Sequence, residues 1–349
     1  MMEELHMSLR SGALLGMFSL LLAGCGSGPT IITGDFEGRD CGLYAVDADW
    51  LVYEWSPPVP RSIPVHLVAR HLASGVETEI ESDWHGGTLG LDGGYLLYGK
   101  NVGGNGEVEL VLYDLNAQTR NVLHRGKLYS ARISSRTVVW QTRNDAGELV
   151  IVIASVAGGV PREIKDAGRE ERVSDTAPRI SGNNLVFLRR NSTTLEFTFM
   201  YHNLSTGTTE TLPIASLSPF SFDLSGDTFV YTKEGDDVIY LMDLATRVEK
   251  ALVEAPLRMD GPVIRGNIVA WMTHMPAEDF KAIGGQPLID ERNFRTLHAL
   301  NVDTGKSITP IRDRYMLGRV RISDDRQIYA LVPREITTSP GEIKDVVRF

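Results

Sequence analysis

An eight-residue pattern recurs seven times along this chain without a gap. An apolar residue opens a polar turn of two to three residues, and an apolar run then closes on an aromatic. The copies are residues 46–53, 91–98, 133–140, 180–187, 224–231, 264–271 and 322–329, and they close on Tyr53, Tyr98, Trp140, Phe187, Tyr231, Trp271 and Tyr329. From each closer to the next the distances are 45, 42, 47, 44, 40 and 58 residues. Strand-like units at a period of about 40 to 50 mark a repeat architecture, because one unit of that size cannot bury both of its faces alone.

Each unit reads as four strands. Strand A ends at the polar turn, strand B ends on the aromatic, and strands C and D flank a second turn whose fourth position is Gly75, Gln118, Gly159, Gly207, Arg247 or Gly305. Glycine there suits a backbone of positive φ, so the turns with Gln118 and Arg247 are expected to be built differently. Four antiparallel strands make one blade, which predicts an all-β, seven-bladed β-propeller over residues 30–349, with six blades as the alternative count. After its A and B strands the seventh copy has one further strand-like segment, 345–349. Its fourth strand is expected from the other end of the chain, at 30–33, so that the N- and C-terminal strands share the last blade and no sheet edge is left open.

The turns Ser181-Gly182, Ser225-Gly226 and Ser323-Asp324, the apolar run closing on an aromatic, and the stretch from Val238 through Tyr240 to Leu244 resemble the repeats of TolB-type β-propellers. The resemblance covers nearly all of 40–349 and is best over 180–212 and 222–252. It implies that fold and a periplasmic habit, but no activity, since this fold hosts scaffolds and enzymes alike.

The N-terminal residues supply an address. Arg10 precedes an apolar run over 12–24 that is too short to span a bilayer as a helix and reads as a signal peptide, residues 1–24. The run ends Leu22, Ala23, Gly24, Cys25, which resembles the bacterial lipobox. That resemblance implies lipidation of Cys25 and cleavage before it, leaving 25–29 as a short tether. With no Asp directly after the cysteine, the resemblance points to an outer-membrane protein facing the periplasm. Cys41 is then the one other thiol, read as a small buried apolar residue. A formal net charge of -10 with no basic run argues against nucleic-acid binding.

Two groups of residues stand out as candidate sites. One residue before each strand-A opener, the column reads Ala45, Gly90, Arg132, Arg179, Asp223, Val263, Arg321. Innermost strands line a propeller's channel, so Arg132, Arg179 and Arg321 are candidates for binding a carboxylate or phosphate; the alternative is pairing with Asp223 or with neighbours such as Asp175. The second group lies in enlarged B-to-C connections of blades 1, 6 and 7, adjacent in a closed ring: Trp55, Pro57, Pro58, His274, Phe280, Ile283 and Phe294, a surface suited to a protein partner.

The eight histidines show no metal-ligand spacing, and no nucleophile elbow or paired carboxylates appear. No cofactor, metal or catalytic residue is therefore expected. Two functions remain: a monomeric, lipid-anchored binding or scaffolding module for envelope proteins, or an envelope lyase or hydrolase with its site at the channel mouth.

Overall fold

The computed structural model describes residues 30–31, 40–56, 65–87, 89–103, 106–165, 173–214, 217–233, 235–254, 259–274, 294–315, 317–333 and 344–348. All regular structure among them is β-strand, in seven four-stranded antiparallel sheets. Six sheets are each built from four consecutive strands. The seventh runs from Leu317–Ile322 through Ile328–Pro333 and Lys344–Arg348 to Thr30–Ile31, so the two ends of the chain meet in one blade. Thr30 pairs with Arg348 and Ile31 with Val347.

The innermost strands of blades 1 to 7 are Asp40–Val46, Leu89–Asp92, Ser130–Ser134, Val173–Ser181, Leu217–Ser225, Met259–Arg265 and Leu317–Ile322. Each packs on the next around the ring, and that of blade 7 packs back on that of blade 1. The repeated eight residues are the hairpins that join these strands to the second ones, as in the pairs Ile133 with Val138 and Ile180 with Leu185.

The second strands are apolar almost throughout because both of their faces are covered. In blade 4, Leu185 and Phe187 pack toward blade 3, whereas Val186 and Leu188 pack toward blade 5. Among the described residues, one hydrophobic cluster fills each of the seven interfaces between neighbouring blades. At about 1.5–3 kcal/mol for each fully buried large apolar side chain, these interfaces supply the main drive for closing the ring.

The closing aromatics have a second task on the outer strands. Tyr53 donates its hydroxyl to Glu77 at 2.6 Å, Tyr98 donates to Glu81 at 2.7 Å, and Tyr231 donates to Glu249. Where the closer is tryptophan, a histidine lies beside the ring: Trp271 stacks on His298, its cross-strand neighbour on the third strand, with ring centroids 5.3 Å apart, and Trp140 lies 6.0 Å from His124 of blade 2's outer strand. These histidines therefore serve packing.

The turns with Gln118 and Arg247 are not built differently, contrary to the expectation from glycine. Gln118 (φ 54°) and Arg247 (φ 62°) take the same left-handed backbone as Gly75 (70°), Gly207 (72°) and Gly305 (68°). The reason lies earlier in each turn. Asp114 accepts hydrogen bonds from the N–H groups of Asn116 and Ala117, and Asp243 from those of Ala245 and Thr246. These side-chain turns offset a left-handed cost of about 1–2 kcal/mol per residue. Blade 3 holds the turn that departs: Gly158 (99°) and Gly159 (116°) both have positive φ, and Gly158 N–H donates to the Ser155 carbonyl.

Candidate functional site

The inner strands enclose a cavity of about 600 Å³ along the ring axis. Its wall contains the whole column that precedes the corners: Ala45, Gly90, Arg132, Arg179, Asp223, Val263 and Arg321. The structure thus brings the three sequence-predicted arginines into one space. Each stands two residues before its corner, roughly 7 Å along the strand.

A common contact sets their height. Nη1 of Arg132 donates to the Ala131 carbonyl at 2.7 Å, that of Arg179 to the Pro178 carbonyl at 3.1 Å, and that of Arg321 to the Val320 carbonyl at 3.3 Å. In blades 4 and 7 the strand is also irregular just ahead of the arginine. Register shifts between Thr176 and Arg179, with Ala177 at φ 52°, and between Leu317 and Arg321. Bulges of this kind re-aim the side chains that follow them. Blade 3 pairs regularly through Arg132.

Neighbouring groups hold the guanidiniums further. Arg179 lies over the Phe222 ring at 4.9 Å, and its Nε is 3.8 Å from Asp223 Oδ1. The other oxygen of Asp223 accepts the N–H of Ile264 in blade 6 at 3.0 Å. Asp175, the other acidic neighbour considered, belongs to a different pair: Arg189 Nε reaches its Oδ1 at 2.8 Å. Arg321 lies 5.9 Å from the Tyr44 ring centroid. Burial pushes the Tyr44 hydroxyl well above its ordinary pKa, with Arg321 acting in the opposite sense, so the phenol stays protonated and donates to the Tyr329 carbonyl across the seam of the ring at 2.9 Å.

At one end of the inner strands a hoop of corner residues that the sequence reading missed ties neighbouring blades together. In five consecutive blades the first turn residue accepts a hydrogen bond from a backbone N–H in the next blade's turn. Gly94 donates to Asp47, Ser135 to Asp92, Gly182 to Ser134, Gly226 to Ser181 and Gly266 to Ser225, at 3.0, 2.7, 3.3, 2.8 and 2.8 Å. Burial raises the Asp47 carboxyl above its usual range, opposed by N–H donors from Gly94, Trp50 and Asp49.

At blade 6 the acceptor is replaced by a donor, Arg265. Its Nε reaches Asp324 in blade 7 at 2.6 Å, and its Nη2 crosses the ring to Asp92 in blade 2 at 3.1 Å. Burial works against the charge of Arg265, but Asp324 and Asp92 together more than offset this and raise its pKa. Arg265 therefore spans the corner end of the channel. A column reading Asp47, Asp92, Ser134, Ser181, Ser225, Arg265, Ser323 carries this signal, since one long cation stands among short acceptors.

At the opposite end the wall includes Met259, Met272 and Arg295. Arg295 pairs with His274 at the loop end of blade 6, one residue beyond Phe294, and was also missed. Among the described lining residues there are five arginines, one aspartate and no histidine, cysteine, glutamate, lysine or tyrosine. A guanidinium binds anions through a fork of donors and does not give up its proton, so this wall is suited to holding negative charge. No group of three or more His, Cys, Asp or Glu that could hold a metal ion occurs among the described residues.

Of the proposed partner surface, Trp55 is half-buried and stacked on His66 with centroids 4.3 Å apart, and His274 is half-buried. Phe294 begins the third strand of blade 6. Pro57, Pro58, Phe280 and Ile283 lie outside the described residues, as do Cys25, the segments 1–24 and 25–29, and the Cys41 side chain.

No family model matches the chain, and no curated protein matches it. Solved structures do. An oligogalacturonate lyase in complex with manganese is 15% identical and aligns over 92% of each chain with a TM-score of 0.62. A prolyl endopeptidase is 12% identical over 88% of this chain and 46% of its own, with a TM-score of 0.65. TolB from Acinetobacter baumannii is 13% identical over 75% of this chain and 63% of its own, with a TM-score of 0.48. The chain thus spans less than two thirds of TolB and about half of the endopeptidase. The lyase and the endopeptidase carry the structural likeness, and at these identities what it establishes is the fold, a β-propeller.

Proposed function

We propose that this protein is a binding or scaffolding module of the bacterial cell envelope, facing the periplasm from the outer membrane through acyl chains on Cys25, and that its channel takes an anionic group of its ligand. The observation that carries the channel reading is the concentration of Arg132, Arg179, Arg295 and Arg321 around one cavity in a chain of net charge -10. Four cations gathered in an acidic protein, on a wall with one carboxylate, favour an anion there over any other guest. The address rests on the lipobox resemblance at Cys25.

Melting of the purified protein at low ionic strength, across a panel of carboxylates, phosphates and acidic oligosaccharides, tests the channel. At saturating levels at least one of them is expected to raise Tm by about 3–6 °C, with a gain that shrinks as salt is added. The variant R132Q/R179Q/R321Q should lose the gain. A panel with no effect, or a gain that survives in the triple variant, overturns the proposal. Chemical turnover of a bound anion would move the protein to the enzyme class, and the same incubations report it.

A further inference from the structure

Order around the ring separates the arginines into two poles. Arg132 and Arg179 come from the adjacent blades 3 and 4, while Arg321 comes from blade 7. Blade 7 stands three steps from blade 4 counted through blades 5 and 6, and three steps from blade 3 counted through blades 1 and 2, so Arg321 faces the pair across the axis. Between the poles, on the side of blades 1 and 2, the same level of the wall carries Ala45 and Gly90, the two smallest residues of the column. Gly90 is held small by packing: a Cβ there would meet Ile133 Cγ2 at 3.2 Å. The wall is therefore low where nothing charged projects and cationic at two opposed places.

The remaining side is not equivalent. Blade 5 presents Asp223 at this level, tied to Arg179 and to Ile264 N–H, and blade 6 presents Val263. The one carboxylate of the wall thus lies on that side, already beside Arg179, while blade 6 adds Arg295 towards the loop end. The corner end is spanned by Arg265 with Asp92 and Asp324.

Building on the anion-channel reading, we infer that the ligand is a dianion whose two acidic groups are separated by a short uncharged body, one held by Arg132 and Arg179 and the other by Arg321, with the body lying along Ala45 and Gly90. The cavity, about 600 Å³, is within the usual range for small organic ligands, about 300–1,000 Å³. Linking two acidic groups in one molecule makes the second contact intramolecular, so affinity rises without any new contact type.

Titration calorimetry of the full-length protein in detergent, with acetate and butyrate against succinate, glutarate, adipate and pimelate, tests this. The expected result is one dicarboxylate bound per chain, at least tenfold tighter than either monocarboxylate, with an optimum at one chain length. R321Q should bring the best dicarboxylate to the monocarboxylate level while leaving monocarboxylate binding at the other pole; R132Q should do the same from the opposite side, and R321K should keep most of the gain. Melting of each variant without ligand confirms that it is folded. Equal affinity of mono- and dicarboxylates overturns the inference and leaves the channel as an anion site. Failure of every dicarboxylate to bind, with phosphate still raising Tm, overturns the inference and leaves the anion-channel reading standing.

Discussion

Replacing Asp175 by alanine is expected to destabilise the protein by about 3–5 kcal/mol, the cost of breaking a buried ion pair and leaving its partner charged. Asp175 is 1% exposed and Arg189 14%. The two residues sit directly opposite each other on the first two strands of blade 4, and the guanidinium meets both carboxylate oxygens, at 2.8 and 3.0 Å. The arginine also lies 5.7 Å from the Phe187 ring, which closes the core of that blade. Asp175→Ala takes the bidentate carboxylate away from this mostly buried cation. Asp175→Leu combined with Arg189→Met removes both charges and should recover most of the loss, because a buried pair exchanged for apolar side chains is often neutral or better. Urea denaturation measures both. A cost below about 1 kcal/mol for the single variant would show that the pair is solvated. Asp175 lies on the strand that carries Arg179, so loss of the pair also loosens one pole of the channel.

Cys25→Ala is expected to give an all-or-none change in location. Acyl chains contribute about 0.8 kcal/mol for each buried CH₂, and more than one chain anchors stably; in the described residues no helix is long and apolar enough to cross a membrane. The wild-type protein should take up radioactive palmitate and sediment with membranes. The variant should carry no label and move almost wholly to the soluble fraction. Persistent labelling would refute lipidation at this cysteine, and unlabelled protein that still sediments would point to another mode of attachment.

The architecture was legible because one local pattern repeats. Each copy is a two-strand hairpin whose register is set by its polar turn, and its second strand is apolar on both faces, which fits only a sheet covered on both sides. The pairing of Thr30–Ile31 with Lys344–Arg348 follows from counting strands, since the last unit had one too few. The arginine column was legible for the same reason: equivalent positions in a ring share one environment.

What escaped the sequence reading depends on contacts between units. The corner hoop uses backbone N–H donors, which every residue has, so Ser181 and Ser225 looked like turn formers when they are also inter-blade acceptors. Arg265 and Arg295 reach the cavity from positions outside the aligned column. The bulges before Arg179 and Arg321 enclose Pro178 and Gly318, residue types that mark irregular strands. At Gln118 and Arg247 the left-handed turn is supported by the preceding aspartates, Asp114 and Asp243, and glycine is not required there.

The central claim is that Arg132, Arg179 and Arg321 form two anion-binding poles on opposite sides of one channel. Crystals of the protein soaked in bromide, with data collected at the bromine edge, locate bound anions by their anomalous scattering. Two separate peaks are expected inside the ring, one against Arg132 and Arg179 and one against Arg321, and neither in crystals of R132Q/R179Q/R321Q. Bromide bound to arginines on the outer surface with none in the channel would contradict it.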